Sequence, residues 1–256
     1  MNQREYLPRC VESVRSQLRD GDEHIVMDPG SSDGSREWLA DNPHDRLITV
    51  LEPDSGPADG LNKGLARAQG EIFVYLNSDD ELAPGGLDLI RSHFDDNPEA
   101  DVVVGNGWII DEAGTPIKYI LSDRFTPIRF ALGIGIVLQQ ATGYRMSSLE
   151  RLGISFNEQN RLAWDAELLF DLQKAGARFH YTDDVLGYFR VYDGTITTTP
   201  ENAEAHLRER HRLVVATGTS RYPRLLDTVG FPLRALKYAR NLPKRAAAFE
   251  TFPGLA

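Results

Sequence analysis

Ile72-Phe73-Val74-Tyr75-Leu76-Asn77-Ser78-Asp79-Asp80 is a run of five apolar residues that ends on two adjacent carboxylates. It predicts a buried strand delivering acidic side chains to its carboxyl end, where open α/β sheets bind ligands. Two carboxylates there can hold a hard divalent cation, and the cation can hold a diphosphate. The same Asn-Ser-Asp-Asp is also good turn chemistry, with Ser78 or Asp80 capping a following helix. The surrounding sequence decides between these readings.

Working outward, two earlier runs end in the same way. His24-Ile25-Val26-Met27-Asp28 is a short strand closing on an acid, followed by a Gly/Ser-rich turn. Leu47 to Leu51 is a second strand, followed by Glu52-Pro53-Asp54-Ser55-Gly56. Helical spacing precedes and separates them: Leu7, Val11, Val14 and Leu18, then Ala58, Leu61, Leu65 and Ala68, whose polar side carries Asp59, Asn62 and Lys63. Beyond residue 80, Pro84 opens a helix with Leu87, Ile90 and Phe94 on one face, and Asp101-Val102-Val103-Val104-Gly105 is a fourth strand. This alternation predicts a largely parallel sheet covered on both faces. No Gly-x-Gly-x-x-Gly and no Gly-rich loop closing on Lys-Ser/Thr occurs, so a bound phosphate would need a metal and basic side chains.

The pattern then loosens. Trp108-Ile109-Ile110 and Ile117 to Leu121 read as antiparallel strands around Ala113-Gly114. Trp164, Leu168, Leu169 and Leu172 mark a helix interrupted by Asp165 and Glu167, and residues 179–189 hold a short strand and turn. Residues 201–215 read as a polar helix. Residues 231–242 mix Phe231, Leu233 and Leu236 with Arg234, Lys237 and Arg240. That segment either lies on an anionic membrane surface or packs as an ordinary helix on an acidic body.

Composition bounds the function. The 256 residues are 41% hydrophobic and 26% charged, as in an ordinary globular protein. A formal net charge of −10 excludes a general nucleic-acid binder. Residues 201–256 hold 10 Lys+Arg and 5 Asp+Glu, against 18 and 33 in residues 1–200, so the body is acidic and the tail basic. A lone cysteine, Cys10, excludes an intramolecular disulfide and reads as a buried structural thiol. No apolar run approaches the roughly 18 residues of a membrane span, and a cytoplasmic chain is the expectation.

Taken in order, these stretches resemble family 2 glycosyltransferases of the GT-A fold. The motifs are residues 25–35 (Ile-Val-Met-Asp-Pro-Gly-Ser-Ser-Asp-Gly-Ser), residues 52–64, Gly70-Glu71, Leu76-Asn77-Ser78-Asp79-Asp80, Gln139-Gln140, Trp164-Asp165-Ala166-Glu167-Leu168 and Tyr188-Phe189-Arg190. They span about residues 2–195. The resemblance implies a Rossmann-like α/β domain over residues 1–200, with a mixed, mainly parallel sheet flanked by helices, and a basic helical extension over residues 201–256. It implies an inverting enzyme that moves a sugar from a UDP-, GDP- or dTDP-linked donor to a hydroxyl of a glycan or lipid-linked acceptor, as in bacterial polysaccharide assembly.

The resemblance also implies roles. Asp80 would ligate Mg²⁺ or Mn²⁺ with Asp79 beside it, toward the donor sugar or ribose. Asp28 and Asp54 would line the nucleotide pocket. Lys63 is a nucleotide-side candidate whose plainer reading is a solvated helix charge, and Arg190 is a candidate diphosphate contact. Asp165 holds the place of the general base, with Glu167 as the alternative. Gln140 either shapes the acceptor pocket or satisfies buried backbone groups. The chemistry suits these types: an acceptor hydroxyl needs a carboxylate to take its proton, and a leaving diphosphate needs positive charge.

Two features depart from the family pattern. Relatives begin with a hydrophobic strand before the first helix, whereas Met1-Asn2 enters that helix almost directly, so an upstream start or a truncated copy is expected. Tyr192 stands where many relatives have a His, and a neutral phenol is a poor ligand for Mg²⁺ or Mn²⁺. A non-catalytic relic that binds sugar nucleotides is the alternative function. A metal-dependent phosphohydrolase is disfavoured by the lack of dinuclear His/Asp spacing.

Overall fold

The computed structural model describes residues 1–193 and 200–252. The chain enters through helix α1 (Leu7–Arg15), where Pro8 occupies the first turn and its missing N–H costs nothing. Leu7, Cys10, Val11 and Val14 form the buried face of α1. Next come strand β1 (His24–Asp28), α2 (Ser35–Asp41), β2 (Leu47–Leu51), α3 (Pro57–Leu65), β3 (Ile72–Phe73), β4 (Glu81–Leu82) and α4 (Gly86–Asp96). The second half holds β5 (Val102–Ile110), β6 (Pro116–Ile120), α5 (Pro127–Ala131), a 3₁₀ turn (Gln139–Ala141), β7 (Thr142–Arg145), α6 (Met146–Leu152), α7 (Trp164–Lys174) and β8 (Phe179–Arg190). Three helices close the chain: α8 (Pro200–Ala216), α9 (Pro223–Arg240) and α10 (Leu242–Glu250).

β1 and β2 form a parallel pair of their own. The other strands make a six-stranded sheet in the order β3-β7-β5-β8-β4, with β6 also on β5. Within it only β5–β8 is parallel; β3–β7, β7–β5, β5–β6 and β8–β4 are antiparallel. The sheet is mixed, with less parallel pairing than the strand–helix alternation suggested. Apart from β4, the antiparallel partners β6 and β7 come from residues 116–145, where the sequence pattern is weak.

α1 and α3 join the two sheets. Leu7 and Val11 pack with Leu39, Val26 and Leu47, while Ser13 accepts from Leu82 N at 3.1 Å and Gln17 donates to Ala83 O at 3.0 Å. On α3, Gly64 lies against Met27, and Leu61 and Leu65 join the same core as Phe73. That core is built on Val102, Val104, Tyr144, Leu168 and Leu172. Val102, Val103 and Val104 are wholly buried, as a strand covered on both faces must be.

Two expected strands change on folding. The ladder of the strand expected over residues 72–76 covers only Ile72 and Phe73; beyond them the Gln139 side-chain amide takes Tyr75 O at 2.5 Å in place of a strand partner. Residues 101–105 and 108–110 are a single strand, β5. Gly105 and Gly107 do not end it; they let it pass close to β8, since a Cβ on Gly107 would meet the Gly187 carbonyl. Gly187 is crowded in turn by the Gln140 carbonyl.

A methyl group at Gly187 therefore has no space. Gly187→Ala is expected to lower unfolding stability by about 2 kcal/mol or more, the scale of overpacking, as read from chemical denaturation. Gly21→Ala, with nothing within 4 Å of the added carbon, carries only the strain of its positive φ of 91°.

Candidate active site

Asp28 ends β1 and is buried. Its Oδ1 accepts from Gly30 N at 2.8 Å, Ser31 N at 2.7 Å and Arg36 Nε at 3.1 Å. Burial pushes its pKa up, but these donors outweigh burial and leave it below the ordinary value. It is a fixed anion that shapes the loop after β1. Asp54 follows β2 and accepts from Gly56 N at 3.0 Å. Gly60 in the first turn of α3 leaves it room, since a Cβ there would come within 2.7 Å of its Oδ2. Lys63, one turn on, is a tie rather than a solvated charge: its Nζ donates to Pro53 O at 2.6 Å and pairs with Asp59 at 3.2 Å and Glu52 at 3.5 Å. It braces the loop that carries Asp54.

The opening stretch reaches its acidic corner at Asp79-Asp80, and the two carboxylates differ sharply. Asp80 is 0% exposed. Its Oδ2 accepts from Gln140 Nε2 at 2.6 Å and Asn77 Nδ2 at 3.1 Å, and its Oδ1 accepts from Arg190 N at 2.9 Å. Burial and the neighbouring Asp79 raise its pKa. Asp79 is partly exposed. Its Oδ2 accepts from Tyr192 Oη at 2.9 Å, while Oδ1 has no hydrogen-bond partner among the described residues. Tyr192 in turn accepts from Gln3 Nε2 at 2.6 Å.

Arg190 lies behind the pair, also 0% exposed. Nε donates to Asp79 O at 2.9 Å, Nη1 to Asp111 O at 2.8 Å and Glu112 O at 2.9 Å, and Nη2 pairs with Glu81. The Tyr6 ring covers the guanidinium at 5.1 Å. This corrects the expectation of a diphosphate contact: the guanidinium is enclosed and its donors are spent on the protein, so no ligand reaches it.

Asp165 lies in the first turn of α7 and is half-buried. Burial raises its pKa; the backbone amides of Ala166 and Asp165 and the nearby His206 only partly offset that rise. Its charge is felt by the Tyr75 and Tyr144 hydroxyls, and Tyr75 belongs to the opening stretch. Glu167 is placed otherwise. Asn160 Nδ2 at 2.6 Å, Asn157 Nδ2 at 3.1 Å and Arg212 Nη2 at 2.8 Å all donate to it. Burial raises its pKa, but these donors outweigh burial and hold it below the ordinary value. A carboxylate so committed is a poor proton acceptor, which corrects the expectation of Glu167 as an alternative base.

The structure adds residues that sequence reasoning missed. Asn77 and Glu81 flank the acidic pair and support it, with no sequence signal beyond adjacency. Gln139 and Gln140 stood out without a settled role. Gln139 satisfies a backbone carbonyl; Gln140 satisfies the Asp80 carboxylate.

Among the described residues no group of three or more His, Cys, Asp or Glu side chains is arranged to hold a metal ion. The donor set at the corner still suits a hard cation held by one carboxylate and a substrate phosphate. Asp79 offers an unoccupied anionic oxygen, and the carboxylate behind it is fixed.

Comparison with known proteins decides the family. The profile of glycosyl transferase family 2 matches residues 1–153. The chain belongs to glycosyl transferase family 2. Family membership makes it a glycosyltransferase. An uncharacterized glycosyltransferase of Nostoc sp. is 30% identical over 97% of this chain and 80% of its own length. A glycosyltransferase of Streptococcus pneumoniae, GlyG, is 30% identical over 57% of this chain and half its own length. Two solved structures share the GT-A fold. Staphylococcus aureus TarS with UDP-GlcNAc matches with TM-score 0.64 at 18% identity, over 84% of this chain and 63% of TarS. The mannosyltransferase PcManGT of Pyrobaculum calidifontis, with GDP-Man and Mn²⁺, matches with TM-score 0.65 at 20% identity, over 94% of this chain and 72% of PcManGT.

Removing the Arg190 side chain leaves the partly buried Glu81 carboxylate and the carbonyls of Asp79, Asp111 and Glu112 without their donor, while the backbone N–H to Asp80 stays. Arg190→Ala is expected to cost about 3–5 kcal/mol in denaturant unfolding, as for a broken buried ion pair. Arg190→Lys restores the charge but not the fork of donors, and is expected to recover only part of the loss.

Proposed function

We propose that this glycosyltransferase is inverting and divalent-metal-dependent, and moves a sugar from a nucleoside-diphosphate donor to a hydroxyl of a glycan or lipid-linked acceptor. The setting that fits is polysaccharide assembly on the cytoplasmic side, at the inner face of a membrane. The observation that carries the reading is the acidic corner, where Asp79 keeps one oxygen without a hydrogen-bond partner among the described residues while Arg190 and Tyr192 hold it and Asp80 is buried among its own donors. The UDP-GlcNAc complex of TarS and the GDP-Man and Mn²⁺ complex of PcManGT support it.

In this reading Asp79 holds Mg²⁺ or Mn²⁺, and Asp80, the other expected ligand, is a buried support whose oxygens are taken by Gln140, Asn77 and the Arg190 backbone. The bound ion would supply positive charge to the departing diphosphate. Asp28 and Asp54, at the ends of the first two strands, line the nucleotide side. Asp165 takes the proton of the acceptor hydroxyl at its carboxylate. A single displacement needs one such base, and Asp165 is the carboxylate of the candidate pair whose pKa is raised, whereas Glu167 is committed to three side-chain donors.

The base assignment predicts a pH profile. Asp165 works deprotonated and its pKa is raised, so kcat/KM falls as pH drops through a value above the ordinary carboxylate range of about 4. Asp165→Asn is expected to lower kcat by about a hundredfold or more while donor affinity is kept. Turnover that survives this substitution rules out Asp165 as the base.

Metal use is read separately by calorimetry with UDP, GDP and dTDP, with and without Mn²⁺. One nucleotide is expected to bind in a Mn²⁺-dependent way, and both chelation and Asp79→Ala should abolish that dependence. A chain that binds none of the three is a non-catalytic relic.

A further inference from the structure

Helix α9 presents two unlike faces. On the inner face, Gly230 is buried tight against Leu132 O. Arg234 Nη1 donates to Leu132 O at 3.0 Å, and Lys237 pairs with Asp123 and donates to Ile134 O at 3.2 Å. Asp227, the one acid of the helix, takes His211 at 2.6 Å and Arg210 at 3.0 Å from α8. The sequence reading grouped Arg234 and Lys237 with the apolar residues of a membrane-facing surface. That reading also allowed an ordinary helix packed on the acidic body, and for these two cations the structure agrees with the packed alternative: both turn inward and dock the helix.

The outer face is different. Leu225, Val229 and Leu236 fall in one row along it and are 60%, 49% and 68% exposed. Phe231, well around the helix from the row, is 70% exposed. Arg224 and Arg240 lie to either side of the row and Arg221 just precedes the helix; all three are exposed and have no ion-pair partner among the described residues. No acid shares this face.

We propose that the outer face of α9 seats the enzyme on an anionic lipid surface, with Leu225, Val229 and Leu236 at the headgroup–acyl boundary and the three arginines among the headgroups. An apolar row flanked by cations, with no acid among them, is the pattern of a helix lying in a membrane interface. Each such cation contributes to attraction by anionic lipid. A second copy of the chain is a worse occupant. Self-complementary contact along this face would bring the arginines of both copies together with no counter-charge. The net charge of −15 over residues 1–200 adds direction, because an anionic surface repels the body and attracts the tail. The proposal rests on the reading of a membrane-side acceptor for its purpose, but lipid binding needs neither donor nor acceptor, so the two stand or fall separately.

The test uses the full chain without substrate. Co-sedimentation with phosphatidylcholine vesicles is compared with and without phosphatidylglycerol, at low and high salt, and size-exclusion chromatography follows self-association. Binding is expected to require phosphatidylglycerol and to weaken with salt. Replacing Arg221, Arg224 and Arg240 by Gln should weaken partitioning by about fivefold for each cation removed. Leu225→Glu with Leu236→Glu should abolish it. Thermal unfolding checks both variants, and the arginine set carries the test if the leucine pair fails to fold. The proposal is overturned by absence of binding to phosphatidylglycerol vesicles, or by variants that partition like the parent. It is also overturned by a dimer that the leucine substitutions dissociate without any effect on lipid.

Discussion

Arg190 carries a charge it cannot lose into a place that water does not reach, and its surroundings must therefore be acceptors on every side. They are drawn from two separate stretches: the acidic turn, where Asp79 and Glu81 take the side chain and Asp80 takes the Arg190 backbone N–H, and the β5–β6 turn at Asp111 and Glu112. One planar cation thus fixes where the opening strand ends, where the β5–β6 hairpin turns and where β8 stops. The orientation of Asp79 follows from it. The Asp79 backbone carbonyl is held by Arg190 and its Oδ2 by Tyr192, whose ring packs on Tyr6 at 4.6 Å, so that the remaining oxygen points from a rigid base.

The core and the corner are linked through glycine. β5 and β8 cross closely because Gly107 and Gly187 have no side chains, and the gap at Gly187 admits the backbone of Gln140. That approach brings the Gln140 amide to 2.6 Å from Asp80. The acidic pair is stabilised by a packing feature several residues away that contains no charge. A carboxylate buried this completely needs its donors, since an unpaired buried charge is among the costliest defects a fold can hold.

What the sequence made legible was whatever depends on short range. Apolar runs ending in acids marked Asp28 at the end of β1 and Asp54 just after β2, and helical spacing marked α1, α3 and α7. What it hid depends on distant partners or on which way a side chain turns. Ile72 pairs with Arg145, more than seventy residues away, and nothing near residue 72 announces an antiparallel neighbour. Asp165 and Glu167 stand two residues apart at the start of one helix, some 200° around its axis, so only the folded neighbours tell them apart. Asn157, Asn160 and Arg212 claim Glu167, whereas Asp165 lies near the Tyr75 and Tyr144 hydroxyls and His206. Arg190 misled for the same reason: a cation after two acids can face a ligand or the protein, and the covalent order is identical.

The basic tail shows how far direction outweighs composition. Its net charge of +5 over residues 201–256 reads as one property, yet the structure divides the cations by face. Arg210, Arg234 and Lys237 meet Asp227, Leu132 O and Asp123 at the junction with the body, where pairing and partial burial make each contact worth more than a surface ion pair. Arg221, Arg224 and Arg240 stay in solvent on the other side. Because the inward cations and their acids largely cancel, the field outside α9 comes mainly from the arginines that remain. A helix docked by charge on one face is left free to keep exposed leucines on the other. Folding exerts no pressure to retain those leucines, since an exposed apolar side chain gains nothing from burial that never occurs.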